Sequence, residues 1–271
     1  MSKVWFITGA SKGFGREFTL AALERGDQVA ATARDTTLLT DLVDRFGDAV
    51  LPLPVDVTDR AQVFDAVAAT TARFGRLDVV VNNAGYTLIG AVEELGEQEL
   101  RDQLETNLFG VLHVTQAVLP ILRAQGSGHI VQISSAMGLA TFPSTGGYSA
   151  SKFALEGLSD ALAQEVTGFG IKVTMIEPGA FATGLAASSV LTANRQDAYN
   201  PLYAAMSEMS ATQAPAPEAV GGALLQIVDA EQPPLRVFFG EQATHWIPAV
   251  YQQRLETWAE WAHVSKAAEG K

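Results

Sequence analysis

The chain has 271 residues, 48% of them hydrophobic, which suits one large α/β domain or two small ones of ordinary globular composition. A formal charge of −12 argues against a nucleic-acid or anionic-membrane surface, so a phosphorylated ligand would need positive charge supplied locally. Cysteine is absent, which excludes disulfides and thiolate metal sites and fits a reducing, cytoplasmic setting. The four histidines, His113, His129, His245 and His263, lack ligand spacing, and no metal is expected.

No apolar run approaches the roughly 20 residues of a membrane span, and Met1–Thr8 reads as a strand and not as a signal peptide. Val4–Thr8 is apolar and leads through a glycine turn into a helical segment, Phe14–Arg25. Gln28–Ala33 and Val50–Val55 read as the second and third strands, Ala61–Phe74 as a helix and Leu77–Asn82 as a buried strand. A long helix is expected over about Glu97–Gln125, with Asn107 inside it. Gly128–Ser134 is the next strand, Tyr148–Val166 a helix and Ile171–Ile176 a strand. An irregular stretch rich in Ala, Ser and Met, about Gly184–Ala214, precedes a helix over Pro217–Val228 and a strand over Leu235–Phe239. Seven near-continuous apolar runs separated by helices predict a seven-stranded parallel sheet covered on both faces. Right-handed crossovers make it doubly wound, with ligands at the carboxyl ends of the strands, in a single domain.

Three motifs carry chemistry. Thr8-Gly9-Ala10-Ser11-Lys12-Gly13-Phe14-Gly15 joins the first strand to the first helix. Glycines there allow a tight turn and let a pyrophosphate approach backbone N–H groups at a positive helix end. A carboxylate ending the second strand would bind an adenosine ribose and repel a 2′-phosphate; that place holds Ala33, followed by Arg34. Arg34 and Lys12 together favour NADP(H) over NAD(H), although both could be solvated surface cations and Asp35 could neutralise Arg34. Tyr148 and Lys152 lie four positions apart, on one helical face. The ammonium is expected to lower the phenol from its usual value of about 10, giving a proton donor and acceptor near neutral pH. Ser135 ends a strand that would deliver its hydroxyl to the same place.

With Asn82-Asn83-Ala84-Gly85, Asn107, Ser135, Tyr148, Lys152 and Pro178-Gly179 following the glycine turn in order, the chain resembles a short-chain dehydrogenase/reductase, a Rossmann-type fold. The match runs from Lys3 to about Gly184. The separation of 13 between Ser135 and Tyr148 (148 − 135) selects Ser135 over Ser134. The residues around Asn83, Asn107 and Pro178 look most like the hydroxysteroid and retinol dehydrogenase branch. The resemblance implies Tyr148 as general acid or base and Lys152 as its stabiliser and a ligand of the nicotinamide ribose. It implies Ser135 as a hydrogen-bond donor to the substrate oxygen, and Asn107 as holder of a relay water. For the cofactor it implies Gly9, Ser11, Lys12, Gly13, Phe14, Gly15 and Arg34 at the phosphates, and Asp56 and Val57 at the adenine. Asn83, Ala84 and Gly85 would line the adenosine ribose, and Pro178, Gly179 and Thr183 the nicotinamide. On the residues alone, Asp56 could be a capping acid before Thr58 and Asn107 a surface polar group.

The substrate end is expected to be apolar: Tyr86, Met137, Phe142 and Leu185, with Leu88 and Leu139 nearby, around Ser135 and Tyr148. A small hydrophobic ketone, aldehyde or alcohol follows, with 184–214 as a movable lid. Residues 1–240 form the catalytic domain and 241–271 a helical extension of it. There Tyr251, Leu255, Trp258 and Trp261 make an amphipathic stripe that should pack on the core or on a second subunit. A homo-oligomer, dimer or tetramer, is expected. Rival readings are a dinucleotide-binding sensor or interaction protein without turnover, and a dehydratase or epimerase on the same scaffold.

Overall fold

The computed structural model describes residues 2–182, 189–210 and 214–270. In chain order the elements are β1 (Val4–Ile7), α1 (Gly13–Glu24), β2 (Gln28–Ala33), α2 (Thr40–Phe46), β3 (Val50–Pro54), α3 (Arg60–Phe74) and β4 (Val79–Asn82). There follow β5 (Leu88–Ile89), α4 (Glu97–Leu104), α5 (Gly110–Gln125), β6 (Gly128–Ile133), α6 (Gly146–Val166) and β7 (Ile171–Pro178). The chain continues through β8 (Val190–Leu191), α7 (Asn200–Ser210), α8 (Val220–Asp229), β9 (Arg236–Phe239), α9 (Glu241–Glu260) and α10 (Ala262–Ala268). Seven parallel strands form one sheet in the order β3-β2-β1-β4-β6-β7-β9, while β5 and β8 form a small parallel pair outside it. This is the expected doubly wound, Rossmann-type α/β domain.

Strand periodicity sorts the core into two layers. Trp5, Ile7, Val29, Ala31, Val79 and Val81 face Phe14 and Phe18 of α1, Leu42 of α2 and Leu224 of α8. Val4, Phe6, Ala30, Val80 and Ile130 face the other way, onto Val63 and Val67 of α3, Val114 and Val118 of α5, and Leu162 of α6. Each fully buried Phe, Leu or Val contributes about 1.5–3 kcal/mol of transfer free energy, so both strand faces must be covered. No helix among the described residues is long and apolar enough to cross a membrane.

Three elements depart from the sequence expectation. The helix expected over 97–125 is interrupted by a π turn, Glu105–Phe109, which holds Asn107. The widened turn shifts backbone bonding to i→i−5, as in Gly110 N–H to Glu105 O, and the Asn107 side chain on it bonds the Tyr86 backbone of a neighbouring loop. Residues 189–210, expected to be irregular, contain β8 and α7. The stripe on α9 and α10 does not pack on the core of this chain: Tyr251, Leu255, Trp258 and Trp261 are 41–65% exposed. The neighbouring face of α9 packs instead, where Ala243 and Ile247 meet Ala136, Leu139 and Ala140 of the loop after β6.

Candidate active site

The glycine turn sits at the carboxyl end of β1, at the switch point where β2 and β4 flank the strand on opposite sides. Gly9 has φ +66° and Gly13 φ +54°, a left-handed backbone that side chains resist. A Cβ on Gly15 would lie 2.3 Å from the Gly9 carbonyl oxygen, so the turn closes only on glycine. The α1 N-terminus therefore presents backbone N–H groups bordered by Ser11, Lys12 and Gly13, the geometry that holds a pyrophosphate. Phe14 does not join this surface with its side chain. It is buried against Phe18, Phe181 and Phe239, because the first turn of α1 drives that position into the core.

Asn83 is held against the glycine turn. Its amide nitrogen donates to the carbonyls of Thr8 (2.9 Å) and Gly9 (3.1 Å), and its backbone N–H donates to Thr8 Oγ1 (2.9 Å). The side chain staples the glycine turn to β4, so its donors shape the loop. Ala84 N–H donates to the same hydroxyl at 3.0 Å, and Gly85 is exposed. Arg34 is exposed just past β2, and Asp35 accepts from Thr37 through the backbone N–H (3.0 Å) and hydroxyl (2.6 Å). Asp56 accepts from Thr58 N–H (3.0 Å) and Oγ1 (2.8 Å) through a single carboxylate oxygen, while Val57 is buried. Asp56 thus closes a turn onto Thr58 and does not cap the helix: the N-cap of α3 is Asp59. Gly179 N–H is spent on Phe239 O (2.9 Å), fixing Pro178-Gly179 at the end of β7. Thr183 and Leu185 lie outside the described residues.

Tyr148 and Lys152 rise from the first turns of α6, 7% and 6% exposed. Lys152 Nζ stands 5.8 Å from the centre of the Tyr148 ring and donates to the Ile133 carbonyl at 2.8 Å. Burial lowers this ammonium to about 8, against the opposing charge of Glu156. For the phenol, burial dominates and raises it; the hydroxyls of Ser135 and Thr87 act in the lowering direction. The expected lowering of the phenol is therefore corrected: desolvation dominates and raises it. Ser135 lies two residues past β6 in an extended conformation, with Oγ accepting from Met137 N–H at 3.1 Å. Thr87 was missed by sequence reasoning, since a threonine in a loop carries no motif.

Asn107 is fully buried. It accepts from Tyr86 N–H (3.1 Å) and donates to Tyr86 O (3.0 Å) and Ser151 Oγ (3.0 Å), which in turn donates to Tyr148 O (2.7 Å). Both ends of its amide are thus committed within the protein, tying the Tyr86 loop to α6. A Cβ on Gly85 would come within 3.0 Å of Asn107 Oδ1 and 3.9 Å of Lys152 Nζ. Of the expected substrate residues, Tyr86 and Met137 are half-buried, and Phe142 stacks on Trp246 of α9 at 4.3 Å. Leu88 and Leu139 are buried core residues.

A second charged cluster lies one helical turn behind Lys152. Arg236 Nε is 3.1 Å from Glu156 Oε2 and 3.6 Å from Glu177 Oε1, and its Nη2 is 3.6 Å from Asp160. Glu156 and Glu177 are both buried. Burial, then the charge of Glu156, push Glu177 up to about 8 despite Arg236.

A sequence profile described as short chain dehydrogenase matches residues 3–194. The chain belongs to the short-chain dehydrogenase/reductase family. Oxidoreductase BOA17 of Botryotinia fuckeliana is 41% identical over 99% of this chain and 100% of its own. A 3-ketodihydrosphingosine reductase of Bacteroides thetaiotaomicron is 37% identical over 91% of this chain and 93% of its own. Among solved structures, a short-chain dehydrogenase from Streptomyces avermitilis superposes with a TM-score of 0.93 at 40% identity, covering 98% of each chain. This short-chain dehydrogenase/reductase is accordingly an oxidoreductase of a family that uses a nicotinamide cofactor.

Proposed function

We propose that this short-chain dehydrogenase/reductase interconverts a hydrophobic ketone or aldehyde and its alcohol, with NADP(H) preferred over NAD(H) and Tyr148 as general acid or base. The observation that carries the reading is the buried Tyr148 phenol in contact with the Ser135 hydroxyl, with the Lys152 ammonium 5.8 Å from its ring centre. A nicotinamide, when bound, supplies or accepts the hydride. Gly9, Ser11, Lys12, Gly13 and the first N–H groups of α1, including that of Phe14, would hold the pyrophosphate. The closed cradle at Gly15 supports that fit. Arg34 and Lys12 would take the 2′-phosphate, and Asp35, occupied with Thr37, leaves Arg34 to do so. Asp56 and Val57 would meet the adenine, Ala84 and Gly85 the adenosine ribose, and Pro178, Gly179 and Thr183 the nicotinamide.

In reduction, Ser135 donates a hydrogen bond to the carbonyl oxygen and Tyr148 gives it a proton, so the developing oxyanion is met by two hydroxyls. Lys152 then holds the phenolate by charge and binds the nicotinamide ribose. Asn107 positions the Tyr86 loop and Ser151 beneath Tyr148. Burial raises the phenol and so favours its protonated form, the one that gives a proton in reduction. Tyr86 and Met137 would contact an apolar substrate; the name carried by the Bacteroides relative, 3-ketodihydrosphingosine reductase, fits carbonyl reduction. The test is a screen of ketones, aldehydes and alcohols with NADPH and NADH. Faster turnover of apolar carbonyls with NADPH is expected. Cofactor binding without any turnover would favour a sensor instead, and turnover without net nicotinamide change an epimerase or dehydratase.

A further inference from the structure

The segment from Val190 to Met206 is docked against the loop after β4 by two carboxylates that no expectation from the sequence singled out. Glu94 is 1% exposed. Its Oε1 accepts from Gln196 N–H at 2.7 Å, and its Oε2 accepts from Ala91 N–H at 2.9 Å and from the Tyr203 hydroxyl. Its carbonyl accepts from Thr192 Oγ1 at 2.7 Å. Glu99 adds Ala193 N–H and Thr192 Oγ1, both at 2.9 Å. The Arg195 guanidinium lies 3.9 Å over the Tyr203 ring, covering the cluster with a cation.

A buried carboxylate is tolerated only when its lone pairs are met, and two of the three donors to Glu94 come from this segment. Displacing the segment would leave that charge uncompensated, so the dock is self-enforcing. The docked segment reaches the chemistry at two points. Val190 N–H bonds Thr87 O at 2.8 Å, and the Thr87 hydroxyl stands beside the Tyr148 phenol. Met206 touches Ser144, four residues before Tyr148. Ser144 carries φ +58°, which for a non-glycine residue is sustained only by its surroundings, here including Gly90 N–H on its carbonyl at 2.9 Å.

We propose that Glu94 is a positioning residue for substrate recognition: it clamps residues 190–203 as a preformed wall beside Tyr148 and never touches the substrate. The proposal rests on the reductase reading for its kinetic arm only. The variants are Glu94→Gln, which keeps volume but replaces an acceptor by a donor facing N–H and O–H groups, and Tyr203→Phe, which removes one donor from the segment side and spares the fold. Backbone amides of 192–196 should exchange with deuterium about ten-fold faster in Glu94→Gln, and in the same direction but less in Tyr203→Phe. With 1-phenyl-1,2-propanedione as the probe carbonyl, KM should rise about ten-fold while kcat changes less than about two-fold. The Kd for NADPH, read by fluorescence titration, should stay within about two-fold. Wild-type exchange in the variants overturns the clamp. Faster exchange with an unmoved KM, or with NADPH affinity lost in proportion, overturns its place in the substrate site. If the unaltered protein reduces no carbonyl, the reductase reading fails while the exchange experiment still decides the clamp.

Discussion

Replacing Glu177 by glutamine is expected to stabilise the protein, increasingly so as the pH rises from 4.5 to 8. Glu177 is 1% exposed and faces Glu156 across Arg236, so one guanidinium serves two buried carboxyls. Burial and the neighbouring charge raise it from 4.5 to about 8. A group raised on folding contributes its full stability below the unfolded value and loses it as the pH climbs through the folded one. At pH 7 the unfolded carboxyl has given up its proton and the native one retains it, a gap of about 2.5 pH units (7 − 4.5) or ~3 kcal/mol. Water access and relaxation of the coupled pair reduce this to roughly 1–3 kcal/mol. Glutamine imitates the protonated form and keeps an oxygen for Arg236. For a chain of this length the gain corresponds to about 2–10 °C in Tm at pH 7–8 and almost none at pH 4.5. Thermal unfolding of both proteins at pH 5, 6, 7 and 8 measures it. A pH-independent difference, or a variant that is less stable at pH 8, would show that Glu177 is an ionised partner of Arg236 and refute the reasoning.

Two further substitutions address the cofactor side. Gly15→Ala places a Cβ 2.3 Å from Gly9 O and 2.5 Å from Asn83 Nδ2, so the turn must open; dinucleotide affinity should fall at least about ten-fold and stability by about 1–3 kcal/mol, by titration and denaturant unfolding. An alanine variant that binds NADPH normally would contradict the cradle. Arg34→Ala should raise the KM for NADPH by about ten-fold or more and leave that for NADH within about two-fold; equal effects on both would mean that Arg34 does not reach the 2′-phosphate.

The sheet was legible in the sequence because each of its seven strands is a short apolar run ended by glycine, proline or a polar residue, as in Val79–Asn82 before Asn83. Tyr148, Lys152 and Ser135 were legible because helical spacing and a strand end place them together. What escaped depends on tertiary contacts. Nothing local announces that Asn83 will hold the Thr8 and Gly9 carbonyls, or that Asn107 will open a π turn to grip Tyr86. A glycine-loop position likewise says nothing of which way the Phe14 ring turns, and it turns into the core. The order of residues 190–206 is likewise set from outside, by Glu94 and Glu99 about 100 positions earlier. On α9 the aromatic stripe drew attention, yet Ala243 and Ile247 make the contact with the loop after β6. The phenol itself taught the same lesson: a lysine four residues on argued for a lowered value, and burial reversed the sign.

The most direct test of the account is single-turnover reduction by Tyr148→Phe, with NADPH binding measured on the same sample. The variant retains the ring that packs in the site and loses only the hydroxyl that faces Ser135 and Thr87. The account predicts NADPH affinity within about two-fold of the unaltered protein and a hydride-transfer rate lower by about 10²–10⁴-fold, the range a positioned general acid supplies. A hydride-transfer rate that survives the loss of the phenol hydroxyl contradicts it.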